Sequence, residues 1–123
     1  MESKALALNV HELADNRKAE NLVILDLKDV SSVTDYFVIA TGTSEPHIKA
    51  IVEEISTRLK HDHGVTPLGS DGGSRSPWVV LDYFDVIVHV MREDIRELYN
   101  LEGLWGDTPR ITPELKVATA DPA

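Results

Sequence analysis

The feature that most constrains this chain is a strand-like segment leading directly into an amphipathic helix. Residues 36–41 are aromatic, β-branched or small, as in a buried strand. Thr43 or Ser44 can cap the helix, Pro46 suits its first turn, and Gly64 marks its end. The helix carries one apolar stripe at helical spacing: Ile48, Ile51, Val52, Ile55 and Leu59. A strand joined to a helix in this way favours layers of helix on sheet.

Shorter apolar patterns around this unit predict the remaining elements. A first helix carries Leu6, Val10, Leu13 and Ala14 at helical spacing. Further strands are predicted over residues 22–27, 65–69, 78–82 and 86–91, and helical turns over 95–99 and 101–105. The short link between 82 and 86 predicts an antiparallel hairpin, and 36–69 would form a right-handed βαβ crossover. The fold class is therefore α/β, with helices packed on a mixed five-stranded sheet.

Length and composition limit the number of domains and the cellular location that can be expected. The chain has 123 residues, which corresponds to one domain, predicted over residues 1–107. Residues 108–123 are rich in Thr, Pro and Ala without periodicity, and are predicted to be a disordered tail. The chain has no cysteine, no apolar run of transmembrane length and no basic-then-apolar start, so a cytoplasmic location is expected.

Net charge narrows the choice of partners. Twenty-one acidic residues against twelve lysines and arginines give a formal net charge of −9. Binding to nucleic-acid phosphates and to anionic membranes depends on lysine and arginine, so both partners are disfavoured. A partner selected by electrostatics should be basic.

Enzymatic chemistry finds weak support in the motifs. Residues 41–44 lie between strand and helix, where an anion can bind, but the P-loop lysine and the spaced glycines of a dinucleotide site are absent. Gly69-Ser70 with Asp82 and Asp85 suggests a nucleotidyltransferase, the alternative function. Carboxylates three residues apart do not share a strand face, so no metal pair and no cofactor is predicted.

The histidines also have structural interpretations. His61 and His63 diverge on a helix, where metal pairs need a spacing of three or four residues. His89 lies in an apolar strand and is interpreted as a hydrogen-bonded core histidine.

The segment 78–107 combines aromatic residues with negative charge. It holds both tryptophans, two of the three tyrosines and a net charge of −5 from seven acidic residues and two arginines. The segment is either a core hairpin with an acidic solvated helix, or a protein-binding face with aromatic anchors and an acidic rim.

Three runs in order closely resemble the ribosomal silencing factor family (RsfS, also called Iojap). They are residues 35–44 (DYFVIATGTS), 78–91 (WVVLDYFDVIVHVM) and 96–105 (RELYNLEGLW), within a resemblance over about residues 5–107. The family commonly has glycine where Phe84 stands.

The resemblance implies a translation repressor, not an enzyme, with a nucleotidyltransferase-like fold. Such factors bind the basic fourteenth protein of the large ribosomal subunit (L-fourteen) and block joining of the small subunit under nutrient limitation. Several members are homodimers when free. The family's Trp-x-x-x-Asp-Tyr run implies a partner-binding role for Trp78, Asp82 and Tyr83, with Asp85 as a further acidic contact.

Overall fold

The computed structural model describes residues 1–72, 76–106 and 108–111. Within these ranges the helices are α1 (Ser3–Asn16), α2 (Glu45–His63), α3 (Glu93–Tyr99) and α4 (Leu101–Leu104). The strands are β1 (Glu20–Asp26), β2 (Tyr36–Gly42), β3 (Gly69–Asp71), β4 (Trp78–Asp82), β5 (Val86–Arg92) and β6 (Arg110–Ile111). None of the described helices is long and apolar enough to cross a membrane.

All six described strands form one mixed sheet in the order β3-β4-β5-β2-β1-β6. Only β2 and β5 run parallel, with Tyr36 opposite Val86 and Gly42 opposite Arg92. The remaining neighbours are antiparallel, including the predicted hairpin of β4 and β5. The α/β class and the mixed sheet are confirmed, and β6 adds a sixth strand to the five predicted.

The predicted βαβ crossover over residues 36–69 forms in outline, because β3 and β5 are both antiparallel to β4 and β5 is parallel to β2, so β3 runs parallel to β2. Its last strand differs from the predicted one at residues 65–69 and is not a neighbour of β2. The strand after α2 is Gly69–Asp71, which lies exposed at the sheet edge and pairs only with β4. A parallel central strand needs apolar residues on both faces, and this polar segment lacks them. The largely apolar β5 takes the place beside β2 instead.

Helices α1 and α2 cover one face of the sheet and form the main core. The apolar stripe predicted for α2 points inward, with Ile48, Ile51, Ile55 and Leu59 all buried. From the sheet, Val38, Val88 and other alternate residues complete this cluster. The opposite face is covered differently and holds the candidate site.

Local signals place the junction between β2 and α2. Ser44 caps α2, because its Oγ accepts the backbone N–H of His47 at 3.2 Å. Gly64 ends the helix in the left-handed conformation at φ 66°. Gly42 allows close approach, since a Cβ there would lie 2.6 Å from Cγ1 of Ile48. The predicted cap at Thr43 or Ser44 and the predicted end at Gly64 are confirmed, and the close approach at Gly42 is an addition from the structure.

The chain beyond the predicted domain boundary still contributes to the sheet. Thr108 is buried, and Arg110 and Ile111 pair with Leu25 and Ile24 of β1. Residues 112–123, most of the predicted tail, lie outside the described residues.

Candidate functional site

The face of the sheet opposite α1 and α2 is only partly covered. Among the described elements, the short helices α3 and α4 pack over one end of it, on Leu25, Ile39 and Met91. The rest we call the open face. Its side chains alternate with buried ones along their strands, and most are half-exposed: Trp78, Val80 and Asp82 of β4, Ile87 and His89 of β5, and Phe37 of β2.

Trp78 belongs to an aromatic cluster on the open face in which His89 is the central ring. Its indole Nε1–H donates to Nδ1 of His89 at 3.1 Å, and its ring lies 4.9 Å from that of Tyr99. Phe37 meets His89 edge-on at 4.8 Å and Trp105 at 6.1 Å. Aromatic pairs of this kind stabilise the arrangement of the rings, and the hydrogen bond orients the indole. The half-buried indole thus presents an oriented apolar surface to a partner.

His89 is a core histidine, as the sequence predicted. It is 7% exposed and accepts the Trp78 indole proton at Nδ1, so the neutral ring carries its own proton on Nε2. Burial lowers its pKa to about 4. Nε2 has no hydrogen-bond partner among the described residues. The imidazole ring therefore stays neutral and keeps Nδ1 available to accept the hydrogen bond from Trp78.

Asp82 holds the turn that follows β4. Its Oδ1 accepts the backbone N–H of Phe84 at 2.8 Å, while its half-buried side chain lies on the same face as Trp78. Asp85 lies across the turn, and its backbone carbonyl accepts from the N–H groups of Asp35 and Tyr36. Neither carboxylate forms an ion pair with a described residue. Both are therefore available to cations of a partner.

Tyr83 has a different position from the other three predicted partner-binding residues. It is 7% exposed and belongs to the core under α1 and α2. Burial raises its pKa to about 12, and its hydroxyl has no described partner. Trp78 and Asp82 thus share the open face, Asp85 lies beside it, and Tyr83 supports the turn from the core.

A buried arginine clamps α3 and α4 to the sheet beside the open face. Arg96 is 7% exposed and donates to Oγ1 of Thr41 at 2.8 Å and to Oε1 of Glu102 at 2.7 Å. The Arg96 hydrogen bond holds the pKa of Glu102 below its ordinary value. A neighbouring pocket of about 430 Å³ is lined by Arg96 and Glu102 with Asn21 and Arg110. Two of its nine lining residues, Arg96 and Glu102, belong to this clamp.

The residues of the nucleotidyltransferase alternative do not form a metal cradle. Gly69 pairs with Asp82 at the sheet edge, and the Asp82 carboxylate is bonded to the turn. In the part of the chain that the structure describes, no three acidic or histidine side chains are grouped so as to hold a metal ion.

Sequence reasoning did not include Phe37, Ile87 and Tyr99 in the site. Strand alternation assigns Ile87 to the same face as His89, which the hairpin alone could have indicated. Phe37 reaches the site only through the parallel pairing of β2 with β5, and Tyr99 only through the fold-back of α3. No local signal marks either contact.

Comparison with known proteins assigns the family. The family model described as "Ribosomal silencing factor during starvation" matches residues 1–123. A protein of Halalkalibacterium halodurans named "Ribosomal silencing factor RsfS" is 38% identical over 109 residues, spanning 89% of this chain and 90% of that protein.

A more distant relative and a solved structure agree with this match. The mouse protein "Mitochondrial assembly of ribosomal large subunit protein 1" is 32% identical over 98 residues, or 76% of this chain and 42% of that protein. A crystal structure of a protein from Chromobacterium violaceum superposes with a TM-score of 0.82 at 32% identity, covering 99% of this chain and 98% of that one.

Proposed function

The chain belongs to the ribosomal silencing factor family, and from this premise we propose that it represses translation by binding the large ribosomal subunit. A ribosome-associated regulatory role follows from the family. The observation that supports the surface is the half-buried Trp78 at one end of β4, with two carboxylates at the other end, in Asp82 and Asp85, that have no ion-pair partner among the described residues. The open face with its acidic turn is the proposed docking surface.

Charge supports a protein contact on the ribosome over an RNA contact. A chain of net charge −9 is repelled by ribosomal RNA phosphates, so we expect its binding site on the ribosome to be a basic protein. Trp78 supplies apolar area at the centre, and Asp82 and Asp85 supply negative charge at the edge, the usual anatomy of a protein-binding hot spot. The family resemblance points to the fourteenth protein of the large subunit as that partner.

Repression follows by occlusion. A domain bound where the two subunits meet prevents the small subunit from joining, and no catalytic step is needed. We expect the factor to act in the cytoplasm, and to form homodimers when free. Nutrient limitation, which the family description connects with these factors, is the condition in which this repression is expected.

Sedimentation with purified subunits tests the proposal. We expect the chain to migrate with large subunits, to be absent from whole ribosomes, and to reduce whole-ribosome formation when added before the small subunit. Trp78→Ala should lose both effects. Glu53→Lys, on the outer surface of α2, is the control that should retain them. Co-migration with whole ribosomes, or none with large subunits, would contradict the proposal.

Calorimetry separates the nucleotidyltransferase alternative. Asp82 is engaged by the turn and Asp85 lies three residues further, so we expect no saturable heat on titrating ATP with Mg²⁺ into the protein. Saturable binding that is lost in Asp82→Asn would favour the enzyme instead.

A further inference from the structure

Phe84 occupies a backbone conformation that is costly for any residue other than glycine. Its φ is +71°, and the N–H of Asp85 donates to the carbonyl of Tyr83 at 2.9 Å. This hydrogen bond spans three residues and, with a positive φ at the central one, defines the strained kind of γ-turn. Asp82 and Val86 fix the turn by further bonds to Phe84 and Tyr83.

The side chain at this strained position is largely exposed. Phe84 is 64% exposed, and none of the ring contacts among the described residues includes it. The backbone strain at Phe84 lowers the stability of the free protein, and the largely exposed ring offsets little of it by burial. Such a combination is expected where the side chain acts on another molecule.

Phe84 is not the only exposed apolar residue at this end of the sheet. The backbone N–H of Leu68 donates to the carbonyl of Asp82 at 2.7 Å, and that of Asp35 donates to the carbonyl of Asp85 at 3.0 Å. Three segments are thereby joined, and each has large exposed apolar side chains. We call this group the tip: Phe84, Leu68, Val30 and Val33.

Carboxylates outnumber cations in the described segments that form the tip. Asp29, Asp35, Asp82 and Asp85 lie in these segments, and none of them forms an ion pair with a described residue. Lys28 lies 3.9 Å from Asp26 and also interacts electrostatically with Asp35, so Asp82 and Asp85 are the carboxylates with no described cation beside them. An apolar centre with an acidic rim is complementary to a basic protein surface with an apolar recess.

We propose that Phe84 is an anchor of the docking surface and inserts into an apolar recess of a basic ribosomal protein. This inference rests on the proposed function, and it extends the docking surface from the open face, through Asp82, to the tip. The strained turn presents the ring, and the surrounding carboxylates orient the basic partner around it. Burial of the ring in the partner would then offset the backbone strain at Phe84.

Binding to purified large subunits, followed by surface-binding kinetics, tests the role of the ring. Phe84→Ala keeps the positive φ and removes the ring, whereas Phe84→Gly removes both the ring and the strain. We expect both variants to bind about thirtyfold more weakly, as for loss of a hot-spot anchor. Both should melt within a few degrees of the wild type, with the glycine variant no lower than the alanine variant.

The outcomes separate this inference from the proposed function. Wild-type affinity in both Phe84 variants, with weakened binding in Trp78→Ala, would overturn the anchor and leave the proposed function standing. Weakened binding in Phe84→Gly alone would assign the effect to turn flexibility and overturn the anchor. Failure of the wild type to bind large subunits would overturn both.

Cross-linking identifies what the ring contacts. A photoreactive phenylalanine analogue placed at position 84, in the full chain bound to large subunits, should cross-link to a basic ribosomal protein. Cross-links to ribosomal RNA alone would overturn the inference, because the expected recess belongs to a protein.

Discussion

Trp78 serves both stability and recognition, and substitutions can separate the two. Trp78→Ala removes the half-exposed ring and leaves Nδ1 of His89 without its donor. We expect binding to large subunits to weaken about thirtyfold, and the free energy of unfolding to fall by about 2–4 kcal/mol. Trp78→Phe keeps apolar area but not the N–H, so it should retain most affinity while losing stability. Urea unfolding and binding kinetics measure the two effects. Unchanged affinity in a folded Trp78→Ala variant would exclude the open face.

His89 makes stability depend on pH. Its folded pKa, about 4, lies below the ordinary 6.5, so the unfolded chain binds more protons between these values. Stability is therefore full above about pH 6.5 and is lost as the pH falls toward 4, by about 2 kcal/mol between about pH 7 and pH 5. Urea unfolding at the two pH values measures this loss.

His89→Gln is the control for that dependence. Glutamine can still accept from the Trp78 indole but does not titrate. Burial also lowers the pKa of His11, which contributes in the same direction in both proteins. The difference between the two slopes thus isolates His89. Equal slopes would show that His89 does not titrate in this range.

At the scale of elements, the hydrogen bonds of Arg96 hold α3 and α4 against the sheet. Arg96→Ala would remove the donor to Thr41 and to Oε1 of Glu102, and Glu102 would keep only its 3.8 Å ion pair with the exposed Arg110. We expect a loss of about 2–4 kcal/mol in the free energy of unfolding, because the buried half of this ion-pair network is broken. Tyr99, which contacts Trp78 from α3, should become more mobile.

Arg92→Ala provides the matched comparison. Arg92 pairs with Asp94 at 2.7 Å, but both side chains are well exposed and screened by solvent, so its loss should change the free energy of unfolding far less than Arg96→Ala. Chemical denaturation of the two variants gives the contrast, and hydrogen exchange at α3 locates it. Equal stability of both variants would contradict a clamp at Arg96.

At the scale of the whole molecule, the position of the charge matters as well as its amount. Asp85→Lys and Glu53→Lys change the net charge equally, but Asp85 lies at the proposed docking surface and Glu53 on the far side of the sheet. We expect Asp85→Lys to slow association with large subunits roughly tenfold at low salt, with the difference shrinking at high salt. Glu53→Lys should associate at the wild-type rate. Equal slowing in both variants would assign the effect to net charge alone.

Much of the fold was predictable because its signals are local. The cap at Ser44, the end at Gly64 and the inward stripe of α2 depend on residues within a few positions of one another. The hairpin of β4 and β5 follows from its short link, and its alternation assigns Trp78 and Asp82 to one face. The sequence by itself therefore determined the α/β class, the helix-covered core and part of the candidate site.

Only the tertiary structure decided the contacts between distant segments. The parallel pairing of β2 with β5 joins segments about 50 residues apart. No local sequence pattern selects the partner of β2, because the competing strands differ only in how much apolar surface each would bury in that position. The same pairing brings Phe37 to the open face, and the packing of α3 brings Tyr99 to Trp78. Tyr83 is directed into the core while Phe84 remains outside at φ +71°, because burial of one side chain and the bonds of the turn jointly fix both.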